Sequence, residues 1–302
     1  MVEFIILGTS SMVPTKERNV QAFYLEHNGE GMLFDCGEGT QRQLNIAGVA
    51  RGKVRKVFIS HWHGDHVGGL ISLIQTIGNS EYTGTLRIYG PQGSKERMFH
   101  LMNATLFENK VEIEVHELVP KKGEELFFLE TDLYKVSCIR VDHSVPCIGY
   151  AWYEKDKTRI DMATCRKFGL KEGPLIGKLT HGQEVTINGT IIKPNDVLYK
   201  VAGKKIAIIP DTQTTADLIE IARFADVLIC EATYSSDHEE KAREFKHMTG
   251  AQAAHVATTA EVKRLILTHF SQRYPTIQPT LDEARAIFPN TDAAFDLMKI
   301  TL

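Results

Sequence analysis

Short apolar runs rich in Val, Ile, Leu and Phe recur at 2–7, 20–25, 31–36, 54–60, 111–115 and 133–141, and they predict strands. Helix-compatible spacing over 66–77, 93–106, 214–224, 249–259 and 279–288 predicts helices, with Thr249 and Pro279 as start residues. Strands interleaved with helices predict an α/β protein with sheets inside and helices outside. At 302 residues and 43% hydrophobic, the chain can bury one substantial core, so a single domain over 1–302 is expected.

The segment 154–196 breaks this rhythm. It is poor in apolar runs and is punctuated by Gly173-Pro174 and Gly177. Across 155–178 seven basic residues face three acidic ones, a local excess of four. An insertion of this kind within a domain is either a functional arm or a solvated loop. Its charge alone is compatible with both a polyanion-binding arm and a plain surface loop.

A formal charge of −3 argues against coating nucleic acid with the whole surface, while leaving room for a local basic patch. Five scattered cysteines, Cys36, Cys138, Cys147, Cys165 and Cys230, form no CxxC pair and no disulfide framework, which fits a reducing cytoplasm. The N-terminal run reads as a first strand without a basic leader or cleavage site. No stretch is long enough to span a membrane, and no membrane association is expected.

The densest chemistry lies at His61-Trp62-His63-Gly64-Asp65-His66, directly after the strand pattern that ends at Ser60. Imidazole nitrogen and carboxylate oxygen are ligands for zinc and similar divalent ions. Three further predicted strands end the same way, 136–142 at His143, 205–210 at Asp211 and 264–268 at His269. Singly these would be ordinary structural residues; strand ends converging on one sheet edge make a rigid site. If His61, His63 and His143 hold one ion and His66, Asp211 and His269 the other, Asp211 can bridge them. Asp65 is then a ligand, a general base, or both. Two such ions polarise a phosphoryl or carbonyl oxygen and generate hydroxide near neutral pH. His247 and Glu231 are candidates for assisting a leaving group. Thr9 and Ser10, after the first strand, are candidate phosphate contacts, as is Arg273 after His269.

Together these motifs resemble the ribonuclease Z family, tRNA 3′-processing endoribonucleases of the metallo-β-lactamase superfamily. HWHGDH at 61–66 is similar to the superfamily signature. Phe34-Asp35-Cys36-Gly37-Glu38-Gly39-Thr40-Gln41 resembles the family's first motif, Gly8-Thr9-Ser10 with Arg18-Asn19 its N-terminal loop, and 267–274, with Ser271 and Arg273, its last motif. The resemblance implies a four-layered αββα metallo-β-lactamase fold with an inserted flexible arm, two zinc ions per subunit (manganese or another divalent ion being the alternative), and Asp35 supporting the metal loop from behind. It implies that 154–196 grips tRNA through Gly173, Pro174 and Lys178, across a homodimer, with DNA not a partner. Precursor tRNA would be cut after the discriminator base, leaving a 3′-hydroxyl on the tRNA and a 5′-phosphate on the trailer. The chain departs from the family in having Cys230-Glu231-Ala232-Thr233 for His-Glu-Ala-Thr, His247-Met248-Thr249 for His-Ser-Thr, and no paired prolines in the arm.

Two rivals follow. One is a small-molecule phosphodiesterase of the same fold. The other is an RNA-binding protein whose metal site is structural, which the number of ligands speaks against.

Overall fold

Leu33, Val57 and Ile88 face one side of their strands, while Phe34, Phe58 and Tyr89 face the other, following the two-residue period of a strand. The computed structural model describes residues 2–80 and 82–302. Its first seven-stranded sheet runs in the order Met298–Thr301, Val2–Gly8, Ala22–His27, Glu30–Phe34, Val54–Phe58, Thr85–Pro91, Glu112–Leu118. The second runs Thr291–Ala293, Leu265–Thr268, Val227–Glu231, Lys205–Ile209, Cys147–Glu154, Tyr134–Val141, Leu126–Glu130.

The aromatic face of the first sheet packs on the second. Phe58 lies 5.6 Å from Tyr150 and 6.0 Å from Phe128, and Tyr89 lies 5.2 Å from Phe128. The aliphatic face meets Leu44 of helix Thr40–Ile46 and Leu70, Leu73, Ile74 and Ile77 of helix Leu70–Gly78. Each such buried aliphatic side chain is worth ~1.5–3 kcal/mol. Helices Ala216–Ala222 and Gly250–Thr259 pack on the second sheet, and Gln278–Ile287 packs on the latter helix, which completes the expected α/β/β/α layering.

The chain divides into two compact units, one of residues 1–130, 136–152 and 205–302, the other of Thr131–Lys135 with Tyr153–Lys204. The second unit is richer in structure than its sequence suggested. Lys157–Ile160 pairs with Leu198–Val201, Val185–Ile187 pairs with Thr190–Ile192, and helices Met162–Lys167 and Pro174–Thr180 lie between. Cys165, Leu170, Leu179, Val185, Ile192 and Val197 form a small core of its own. These apolar residues are spaced singly, which hid them from a search for runs.

The helix expected over 66–77 is two helices, Gly64–Val67 and Leu70–Gly78. Glycine is required at the break, because a Cβ on Gly69 would sit 2.1 Å from the carbonyl oxygen of Gly37. Backbone packs on backbone there, with the Gly69 N–H donating to Cys36 at 2.9 Å. Among the described residues no helix is long and apolar enough to cross a membrane. All five cysteines are free and buried.

Candidate metal centre

Parallel pairing in the second sheet sets Ile209 beside Cys230 and Glu231 beside Thr268. The chain therefore leaves three adjacent strands at one edge, delivering Asp211, Glu231 and His269 side by side. In the first sheet Phe34 pairs with Phe58, so Asp35 and Ser60 also emerge together. Asp35 and His269 both take left-handed backbone, with φ of 58° and 61°. That conformation is uncommon outside glycine and turns each chain sharply as it leaves its strand.

His61, His63, His143 and Asp211 present ligand atoms all within 4.8 Å of one another, as do Asp65, His66 and His269. The individual spacings are informative. His61 Nε2 lies 3.1 Å from His63 Nδ1, which lies 3.4 Å from His143 Nε2. His66 Nε2 and His269 Nε2 each lie 3.5 Å from Asp65 Oδ2, and they approach opposite oxygens of Asp211 at 3.5 and 3.3 Å. Ligands at 2.0–2.1 Å around a tetrahedral zinc stand roughly 3.4 Å apart. His66 Nε2, His269 Nε2 and Asp211 Oδ1 are buried without a hydrogen-bond partner. Buried polar atoms rarely go unpaired, so the donor set fits bound metal, with Asp211 Oδ2 toward His61, His66 and His143 and Oδ1 toward His269.

The electrostatics agree. Burial, reinforced by the neighbouring His66, holds His61 well below the usual histidine range, and burial also lowers His63 and His143. In all three the shift favours the neutral imidazole, the form that ligates. Burial opposes charge on Asp211 and Asp65, but the imidazoles of His269 and His66 outweigh it and hold both well below the ordinary carboxylate range.

The family model of the metallo-beta-lactamase superfamily matches residues 15–134. The chain is 42% identical over 301 residues to the ribonuclease Z of Methanothermobacter thermautotrophicus, covering 99% of this chain and 96% of that one. The chain belongs to the ribonuclease Z family. It is also 38% identical over 304 residues to the ribonuclease Z of Bacillus thuringiensis, covering 98% of each. The crystal structure of human tRNase Z, short form, superimposes with a TM-score of 0.73 at 28% identity, covering 99% of this chain and 98% of that one.

In this ribonuclease Z family member the other predicted residues separate into groups. Asp35 is buried and accepts from Ser60 N–H, the Ser60 hydroxyl, Gln21 and His66. Asp65 Oδ2 also accepts the backbone N–H of Met12 at 2.8 Å. His247 is not an exposed helical residue. It follows helix Glu239–Phe245 after a left-handed Lys246, is largely buried, and donates Nδ1–H to Glu231 at 2.9 Å. Burial disfavours its charge, but Glu231 pushes its pKa up to about 9. Glu231 is fully buried, with Thr212 N–H, Thr233 N–H, the Thr233 hydroxyl and His247 all on its two oxygens.

Thr9 and Ser10 do not offer their hydroxyls outward as expected. Both are fully buried; Thr9 donates to Asp296 and Ser10 to Val13 O, and their amides are taken by Asn19 O. Arg273 is exposed, held by Ser271 Oγ at 3.2 Å and by the Tyr234 ring at 5.0 Å. In the second unit Gly173, Pro174 and Lys178 are exposed at helix Pro174–Thr180. Sequence reasoning missed Ser60 and Thr233, whose hydroxyls touch the candidate ligands His61 and His269. Lone hydroxyls carry no spacing pattern; only their place one or two residues past a strand-end carboxylate or before a ligand could have flagged them. A cleft of about 520 Å³ opens beside His143, lined among others by Leu118, Val119, Lys122, Arg140 and Val145.

Proposed function

We propose that the chain is a metal-dependent endoribonuclease that removes 3′ trailers from precursor tRNA, cutting after the discriminator base. The observation that carries this is the junction of full-length ribonuclease Z similarity with a complete, convergent set of seven candidate ligands. His61, His63 and His143 would hold one zinc ion, and His66, His269 and Asp65 the other, with Asp211 serving both. Manganese or another divalent ion is the alternative. Bound there, the pair would polarise a phosphoryl oxygen and make hydroxide available near neutral pH.

The chain's own residues supply the rest. Asp65, fixed by the Met12 amide, stands beside the site as ligand and as acceptor of the water's proton. His247, oriented by Glu231, donates a proton to the departing 3′ oxygen, leaving a 3′-hydroxyl on the tRNA and a 5′-phosphate on the trailer. Glu231 acts through His247, since its own oxygens are all occupied. Thr9 and Ser10 hold the shape of the loop over 8–19, and Arg273 with Ser271 contacts a phosphate.

The basic unit over 154–196 is the tRNA grip, with Gly173, Pro174 and Lys178 at its contact surface, and the enzyme works as a cytoplasmic homodimer. Free cysteines support the compartment. The test is cleavage of a 3′-extended tRNA transcript by metal-loaded protein, with the product end mapped and a chelated control. One chelator-sensitive cut after the discriminator is expected; turnover of a small phosphodiester without any cut in tRNA would sink the reading. Asp65→Ala should bind the transcript without cutting it. A wild type that binds but never cuts would favour the RNA-binding rival.

A further inference from the structure

Two hydroxyls lie beneath the histidines in matching arrangements, one at the edge of each sheet. Ser60 Oγ donates to Asp35 Oδ2 at 2.8 Å and lies 3.0 Å from His61 Nδ1. Thr233 Oγ1 donates to Glu231 Oε2 at 2.6 Å, and lies 2.9 Å from His269 Nδ1 and 3.2 Å from His247 Nδ1. A hydroxyl has one proton and two lone pairs. With the Thr233 proton committed to a carboxylate that also holds the Thr233 N–H, its oxygen is left as an acceptor. His269 must then carry its proton on Nδ1 and turn a bare Nε2 toward Asp211 and Asp65. That Nε2 is one of the buried atoms without a partner.

We propose that Thr233 is a positioning residue that fixes the Nδ1–H tautomer of His269 and, through the shared Glu231, ties that ligand to the orientation of His247. Glu231 is thereby common to both halves of the site, giving one oxygen to Thr233 and the other to His247. The inference rests on the metal-site reading above, and not on tRNA as the substrate. Partners behind a ligating imidazole fix its tautomer, and their loss costs 10–100-fold in metal affinity or activity.

The test compares Thr233→Val, which keeps the shape and removes the hydroxyl, with Thr233→Ser, which keeps the hydroxyl. Zinc per chain is measured in zinc-buffered solution, alongside kcat and KM on precursor tRNA. The valine variant should lose affinity for one of its two ions by tenfold or more, with kcat reduced at least tenfold and KM unchanged; serine should restore both. Retention of zinc by the valine variant, or equal impairment of both variants, overturns the proposal. Should the valine variant not fold, nitrogen-15 NMR of the zinc-loaded wild type decides, because His269 must show a protonated Nδ1 and a metal-bound Nε2. If wild type binds zinc as stated but does not cut tRNA, the substrate reading fails while this one stands.

Discussion

His66 donates its Nδ1–H to Asp35 Oδ2 at 2.8 Å, and both side chains are buried. Burial disfavours the charged imidazole, yet Asp211 and Asp35 together hold His66 well above the usual histidine range. It is the Nδ1–H bond to Asp35 that fixes the ring so that Nε2 faces the candidate ions, whose binding displaces the Nε2 proton. Asp35→Asn should keep the fold but weaken metal retention by about 10–100-fold, read as zinc per chain after dialysis. Unchanged zinc content with lost cleavage would move Asp35 out of this role.

Much of this geometry was legible in advance. The four strand ends carrying His61, His143, Asp211 and His269 announce themselves as apolar runs cut off by a polar residue, and the structure brings all four together. What stayed hidden depends on packing. At the broken helix the Gly69 N–H turns to Cys36 O and Gly37 packs against it, neighbours over thirty positions away. Strand Thr85–Pro91 alternates Arg87 with buried Leu86 and Ile88, and Arg87 pairs with Glu114 across the sheet, so no apolar run marks it. Glu231 and His247 could each be singled out as candidates, but their pairing could not, because a strand end and the segment after helix Glu239–Phe245 meet only in the fold.

Excising the basic unit tests the substrate. Lys157 pairs directly with Val201, so residues between them can be replaced by a short Gly-Ser linker. A cut at 158–180 alone would split the small core of Cys165, Leu179 and Ile192 and confuse the result. The excised enzyme should lose at least a hundredfold in kcat/KM on precursor tRNA and keep its rate on a small phosphodiester. Wild type, but not the excised form, should also show steep loss of tRNA affinity with salt. Equal rates on tRNA before and after excision would remove the basic unit from tRNA recognition.

The buried thiols predict an alkaline limit to stability. Burial pushes Cys36 and Cys138 up from 9.0 to about 12, so folding favours the protonated form of each. Their stabilisation is complete below pH 9 and is lost as pH rises from 9 toward 12, by up to about 1.4 kcal/mol per thiol for each pH unit. Urea midpoints should fall between pH 8 and pH 10.5, and less so in Cys138→Ala. In the native protein at pH 8, thiol reagents should label none of the five cysteines quickly, since all are buried. Rapid labelling of the folded chain would contradict that burial.

Metal and fold should be linked through the same cluster. Asp211 is almost wholly buried and stands within 4.0 Å of four imidazoles, those of His61, His66, His143 and His269. Ions that bind only the folded arrangement stabilise it by mass action, about 2.7 kcal/mol at a hundred times Kd. For a chain of this size that is roughly 4 °C in Tm. Zinc should raise the Tm of chelator-treated protein by that order, and Asp211→Ala should abolish the rise, because both ligand groups lose their shared member. A full zinc shift in Asp211→Ala would mean that the ions are held without it, and Asp211 would no longer be the residue that joins the two halves of the site.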